Sequence, residues 1–264
     1  MANVISSDGS TIAYQVTGSG PTLICVPAAL NLRGAFDDLA AELSTDHTVV
    51  QYDRRGRGDS TDAIGPGEVA TYRIERELED LAAVHAAVGG DATLFGYSSG
   101  AQLALTAATG GAHTAAVIYE PPFQPDRSQV RTELVDTLIE LVAAGRPGDA
   151  LATFQIDGIG MPAELVQQMR QAPMWPALEE IAQTVVYDAT LTADPRPTAA
   201  VQGLTVPVLS LAGADTWPML IDGARFAAEQ IQGAEYVQVA GGANHQFDAA
   251  EVAAAIRGWQ PIAG

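Results

Sequence analysis

A serine becomes a nucleophile where the chain lifts its hydroxyl clear of the backbone and sets it beside a base. The segment Gly96-Tyr97-Ser98-Ser99-Gly100 has the form for this. It follows the apolar run Thr93-Leu94-Phe95 and leads into Ala101-Gln102-Leu103, so a strand is expected before it and a helix after it. A G-x-S-x-G between strand and helix is a cramped turn that projects its serine above the sheet. Ser98 is therefore expected at positive φ, with no room for a Cβ at either flanking glycine. The helix that opens there would aim free N–H groups and its positive dipole end at an oxyanion formed beside Ser98. G-x-S-x-G alone is a weak signal, and its setting between strand and helix gives it weight.

A serine of this kind needs a base, and the chain has four histidines. His47 precedes a strand, His113 lies in the turn before another, and His85 sits within a helical stretch, positions that suit surface or packing roles. His245 ends Gly241-Gly242-Ala243-Asn244-His245, after the last strand-like run and before the last helical one. In a parallel sheet that loop lies at the carboxyl edge, the same edge as Ser98. Two carboxylates compete to orient the imidazole. Asp215 lies between Ser98 and His245 in chain order, the usual Ser…Asp…His arrangement, after a strand at 206–211. Glu120 directly follows Ala116-Val117-Ile118-Tyr119 and is stopped by Pro121-Pro122. Burial there would be costly unless a partner such as an imidazole compensated the charge. Chain order favours Asp215; the local argument favours Glu120, which we place first.

The elements that must position these groups follow from periodicity. Short β-branched runs alternate with longer Ala/Leu/Glu-rich stretches, the pattern of an α/β fold: a mostly parallel, doubly wound sheet covered by helices. Strands are expected at 4–5, 12–16, 22–26, 48–52, 93–95, 115–119, 206–211 and 236–239. Helices are expected at 34–43, 75–88, 101–108 and 248–259. From 121 to 202 no strand is convincing, and helical segments at 128–144, 147–154, 163–171 and 177–187 are separated by Pro and Gly. Residues 1–120 and 203–264 thus read as the core domain, and 121–202 as an inserted helical cap over the carboxyl edge. Phe123, Met174 and Trp175 are the apolar side chains this cap would offer a substrate.

Four segments then resemble the α/β-hydrolase superfamily. Residues 21–36 are similar to its oxyanion strand and loop, and Asp53-Arg54-Arg55-Gly56-Arg57-Gly58-Asp59-Ser60 to its D-x-R-G-x-G-x-S turn. The serine turn and the terminal Asn244-His245 loop complete the set. In that turn the Asp usually has a structural role, which makes Asp53 a weaker candidate for the acid. More narrowly, Tyr119-Glu120-Pro121-Pro122-Phe123 and Pro173-Met174-Trp175-Pro176-Ala177-Leu178 resemble a group of actinobacterial-type hydrolases. V-P-A-A-L, S-S-G-A and Y-E-P are similar to pieces of the lactonases that open the zearalenone ring, a resemblance that implies Glu120 as the acid. The chain departs from the superfamily at Pro27-Ala28, where His-Gly is usual. Proline has no N–H, so the oxyanion donors are expected to be Ala29, with Ala28 as the alternative, and Ser99.

Charge and composition narrow the classes further. With 13 cations, all arginine, against 32 acids, the net charge of −19 disfavours nucleic acid and anionic membranes as partners. Cys25, the single cysteine, lies in an apolar run and can form no internal disulfide. No H-E-x-x-H, cysteine pair or histidine cluster indicates a metal, and no strand leads into a dinucleotide fingerprint, so no cofactor is expected. The first ten residues lack the basic and apolar parts of a signal peptide, and no run reaches the ~18 apolar residues of a membrane span, so a cytoplasmic location is expected. The reaction expected is hydrolysis of a carboxylic ester or lactone of a mainly apolar small molecule through an acyl-enzyme. The same residues would also suit C–C bond hydrolysis or cofactor-free perhydrolysis. A ligand-binding protein with negligible turnover is the reading from another class. Composition does not address oligomeric state.

Overall fold

The computed structural model describes residues 1–127 and 129–259. Eight strands form one sheet: β1 (Ala2–Ile5), β2 (Thr11–Gly18), β3 (Thr22–Val26), β4 (Thr48–Tyr52), β5 (Ala92–Tyr97), β6 (Ala115–Tyr119), β7 (Val208–Gly213) and β8 (Glu235–Val239), in the order β1-β2-β4-β3-β5-β6-β7-β8. β1 and β2 form an antiparallel hairpin, and β2 pairs antiparallel with β4; every other pairing is parallel. This is the mostly parallel, doubly wound α/β sheet expected from the alternation of runs.

A parallel strand covered on both faces must be apolar on both. β3 shows this residue by residue. Leu23 and Cys25 join the cluster under α1 (Asp37–Leu43) and the last helix, Ala249–Gly258. Ile24 and Val26 point the other way, into the cluster under α2 (Ile74–Val88) and α3 (Ser99–Ala108). Burial pushes the Cys25 thiol far above its ordinary range, as suits a small core residue.

Between β6 and β7 the chain leaves the sheet for six helices: α4 (Thr132–Ala143), α5 (Pro147–Thr153), α6 (Ala163–Met169), α7 (Trp175–Glu180), α8 (Thr184–Leu191) and α9 (Ala199–Gln202). The strandless character of this stretch was legible, but its breaks differ from expectation. The helix expected at 177–187 is two, α7 and α8, parted at Ile181–Gln183. α4 starts at Thr132, and Ser128, where the corresponding helix was expected to begin, lies outside the described residues, as do 260–264 of the expected core. A π-helical turn, Phe154–Ile159, continues α5 and ends on Gly160 at φ 90°. The excursion carries its own apolar cluster, built on Leu138, Leu151, Phe154, Val166, Trp175 and Val185. α10 (Pro218–Gln230), which the sequence reading did not mark, packs on β7, and α11 is the terminal helix Ala249–Gly258.

Candidate active site

β5 ends at Tyr97 and α3 begins at Ser99, so Ser98 carries the whole reversal, at φ 54° and ψ −120°. A Cβ on Gly96 would stand 2.6 Å from the Ala101 Cα and from the Gly100 carbonyl oxygen. A Cβ on Gly100 would run into the Val26 and Pro27 carbonyls of the β3 loop. Both glycines are thus required by close approach, as the spacing implied.

From Ser98 a line of hydrogen bonds runs across three strand ends. The His245 Nε2 lies 2.9 Å from the Ser98 Oγ, and its Nδ1 lies 2.5 Å from the Glu120 Oε2. Glu120 is fully buried. Its Oε1 accepts the Gly213 N–H at 3.0 Å, and its Oε2 accepts the Thr216 hydroxyl at 3.2 Å. Thr216 also accepts the His245 backbone N–H at 3.2 Å, and the Tyr97 hydroxyl donates to the His245 carbonyl. The imidazole is held between the Tyr97 ring, centroids 5.2 Å apart, and the Trp217 ring, stacked at 6.1 Å. Asp215, one residue from Thr216, is exposed and makes no side-chain hydrogen bond or ion pair among the described residues; its own N–H donates to the Gly241 carbonyl.

Among the described residues five non-glycine residues have positive φ: Leu30, Ser98, Glu120, Asn244 and His245. Left-handed backbone costs about 1–3 kcal/mol per residue and persists where the surroundings over-determine it. Three of the five are the hydrogen-bonded Ser98, His245 and Glu120, and a fourth adjoins His245.

These groups open onto a cavity of about 320 Å³. Ala29 and Ser99 line it, and neither backbone N–H donates to a protein acceptor among the described residues. Phe123 lines it too, with Phe154, Ile159, Met161 and Met169 from the helical excursion. Two expectations need correction. Trp175 does not line the cavity: it is buried in the excursion's own cluster, its Nε1 donates to Glu179 at 3.0 Å, and the Arg170 guanidinium lies over its ring. Met174, just before α7, is exposed. The helix break at Ile181–Gln183 turns α7 into this cluster, whereas the π-turn after α5 brings Phe154 and Ile159 to the cavity.

Beneath the cavity lies a charge cluster that the sequence reading missed. Asp188, fully buried on α8, accepts from Arg54 Nη1 at 2.7 Å, Arg57 Nη2 at 2.5 Å and the Ser99 hydroxyl at 2.8 Å. Arg57 Nη1 also donates to the Ala28 carbonyl at 2.7 Å, and Arg54 Nη1 to that of Pro27 at 3.2 Å. Arg54 is further paired with Glu77 through Nε and Nη2, at 2.5 and 2.7 Å. Burial raises the Glu77 carboxyl, but Arg54 outweighs it and holds the pKa down at about 2. Asp188 thus ties the excursion to the β3 loop and to the residue after Ser98. The signal was present: three arginines within 54–57 of a chain with thirteen cations, near an apolar strand, require buried acids. Asp53 has the structural role expected, accepting from the Arg33 side chain and N–H and from the Asp59 N–H.

The model of the alpha/beta hydrolase family matches residues 23–255, almost the whole chain. The chain belongs to that family. It is a hydrolase, and its site is built on the family's sheet. A solved alpha/beta hydrolase from Sphaerobacter thermophilus DSM 20745 is 39% identical, with a TM-score of 0.84 over 97% of this chain and 98% of that one. A thermophilic esterase from Thermogutta terrifontis shares the fold at 21% identity, with a TM-score of 0.71 over 98% and 97% of the two chains. The uncharacterized hydrolase YraK of Bacillus subtilis (strain 168) is 37% identical over 98 residues, and the match spans 35% of that protein and 37% of this hydrolase. Among the described residues no group of acidic, histidine or cysteine side chains could hold a metal ion, and no helix is long and apolar enough to cross a membrane.

Proposed function

We propose that this hydrolase cleaves a carboxylic ester or lactone of a small molecule through an acyl-enzyme on Ser98. The observation that carries the reading is the unbroken line from the Ser98 Oγ through His245 to the buried Glu120, with Ser98 and His245 at the wall of the cavity and Glu120 behind them. The His245 Nε2 takes the hydroxyl proton as Ser98 Oγ attacks the substrate carbonyl, while the Nδ1–H stays on the imidazole and donates to Glu120. The oxyanion receives the N–H groups of Ala29 and Ser99, each worth about 3–4 kcal/mol where negative charge develops. Collapse breaks the C–O bond, and His245 returns the proton to the leaving alkoxide, which in a lactone stays attached to the acyl chain. Water, deprotonated by His245, then attacks the acyl-enzyme, and the proton passes back to Ser98 as the carboxylic acid leaves.

In this reading residues 121–202 act as the cap, with Phe123, Phe154 and Ile159 as apolar walls. Asp188 anchors that cap to both sides of the oxyanion site. A fluorophosphonate probe tests the assignment directly. Ser98 is expected to be labelled and to be the residue recovered on peptide mapping, and Ser98→Ala is expected to lose both label and ester turnover. Undiminished labelling of Ser98→Ala would overturn the reading.

A further inference from the structure

The charge of the cavity wall is at odds with the charge of the protein. Thirty-two acids and thirteen arginines give a net charge of −19. Yet among the described residues no carboxylate lines the cavity, and Arg131 is the one arginine that does. The fully buried Arg54, Arg55 and Arg57 are each paired with acids. Arg131, which is partly buried, is not. Its Nη1 donates to the Gly158 carbonyl at 2.8 Å and its Nη2 to the Thr192 carbonyl at 3.3 Å. Its buried Nε has no hydrogen-bond partner, and among the described residues it forms no ion pair. The same side chain borders an outer groove with Asp126, Glu133 and Asp157, so acids are close in the fold without reaching the guanidinium. Burial, with Arg127 adding to it, pushes Arg131 below its ordinary pKa.

Two carbonyls at the ends of the π-turn and α8 fix the guanidinium plane, and a guanidinium has five N–H donors. Two are used, leaving others to a ligand that brings its own negative charge. Away from Ser98 and His245 the rest of the wall holds no acid and no second arginine: Phe123, Phe154, Ile159, Met161, Gln124 and Asn31 are among its residues. Resting on the ester or lactone reading above, we propose that the substrate carries a free carboxylate, which Arg131 binds while the ester or lactone carbonyl lies at Ser98. An arginine suits this task because its fork matches a carboxylate and stays charged at any working pH. A surface potential of the opposite sign excludes anions in general and makes the local cation the discriminating contact.

The test compares two esters of equal chain length with purified full-length protein: 4-nitrophenyl hydrogen glutarate, whose acyl group ends in a carboxylate, and 4-nitrophenyl valerate, which lacks it. Wild type is expected to favour the glutarate by about tenfold or more in kcat/KM, the scale of a charge-assisted contact. The preference is expected to lie mainly in KM and to shrink as salt is raised. In Arg131→Gln the ratio is expected to invert, since only the repulsive field of the protein remains, and in Arg131→Lys it is expected to be intermediate. Wild-type preference for valerate would overturn the proposal while leaving the esterase reading intact. So would an Arg131→Gln protein, folded by circular dichroism, that keeps the wild-type ratio. If Arg131→Gln does not fold, the wild-type ratio and competitive inhibition by free glutarate decide; inhibition no stronger than by valeramide counts against it. Turnover of neither ester, with no labelling of Ser98, would instead be a failure of the esterase reading.

Discussion

The carboxyl ends of β6 and β7 lie side by side, and each is followed by an acid. After β6 the chain places Glu120 at φ 47°, with its side chain buried and bonded to His245, Gly213 and Thr216. After β7 it places Asp215 in solvent and turns Thr216 inward instead. The difference lies in what each strand end gives to a buried charge. The β7 turn supplies an N–H and a hydroxyl, which are donors, so the cradle there suits a carboxylate that comes from next door. A buried carboxylate is tolerable only with such partners, and Glu120 has three. Proximity in chain order to His245 plays no part in that balance.

The sharpest way to break the comparison is Glu120→Gln. In the proposed mechanism the carboxylate fixes the imidazole tautomer and stabilises the imidazolium, and an amide does neither. A fall in kcat of about 10⁴ is expected, measured on a 4-nitrophenyl ester with the fold checked by circular dichroism. A fall of less than tenfold would remove Glu120 from the catalytic line.

The same contrast between neighbours recurs in the helical excursion, where Phe123 reaches the cavity and Trp175 does not. Trp175 is almost fully buried among apolar residues. Trp175→Ala is expected to cost about 3–5 kcal/mol of stability, a drop in Tm on the order of 10 °C for a chain of this length. Below that transition kcat/KM is expected to stay within a few-fold of wild type. A changed KM with an unchanged Tm would return Trp175 to the substrate surface.

These two cases mark what was legible in the sequence. Strands β3, β5 and β6 could be read because a sheet buried on both faces demands continuous apolar runs, and Gly96 and Gly100 because a crowded turn tolerates nothing larger. The His245 loop could be placed from topology alone. Trp175 and Met174 were misplaced because residue type indicates burial without naming the neighbour that provides it. The break at Ile181–Gln183 and the π-turn at Phe154–Ile159, which decide which side chains face the cavity, leave no mark in periodicity. Asp188 escaped notice because its reasons for burial, Arg54 and Arg57, are more than a hundred residues away. α10 was unmarked, although Pro218 at its first position and the apolar Leu220, Ala224 and Ala227 along one face carry a helical pattern.

A smaller effect sharpens the view of β7 as the cradle. Thr216→Val removes one donor to Glu120 and the acceptor of the His245 N–H while keeping the side-chain shape. At about 1 kcal/mol for each neutral hydrogen bond, kcat is expected to fall by about tenfold with KM little changed. A silent Thr216→Val would mean that Gly213 alone suffices to hold the carboxylate.

The smallest effect is expected at Asp215, and its smallness is the content of the prediction. The side chain is exposed and bonded to nothing among the described residues, and the cradle beside it is already filled by Glu120. Asp215→Asn keeps the size of the side chain and removes only its charge, so any effect on His245 would have to act through solvent, where a single charge is screened within about 10 Å at 0.1 M salt. Substitutions at such surface positions usually stay within about 0.5 kcal/mol, which is a factor of about two in rate. The expected result is therefore a kcat/KM within about twofold of wild type and an unchanged Tm, measured beside Glu120→Gln on the same ester. The double variant adds a second reading. If Asp215 has no share in orienting His245, Glu120→Gln/Asp215→Asn should be no slower than Glu120→Gln alone, because independent sites add and one of them contributes nothing. A further hundredfold loss in the double variant would show Asp215 substituting when Glu120 is disabled, and a loss of about 10⁴ from Asp215→Asn alone would reverse the roles of the two strand ends.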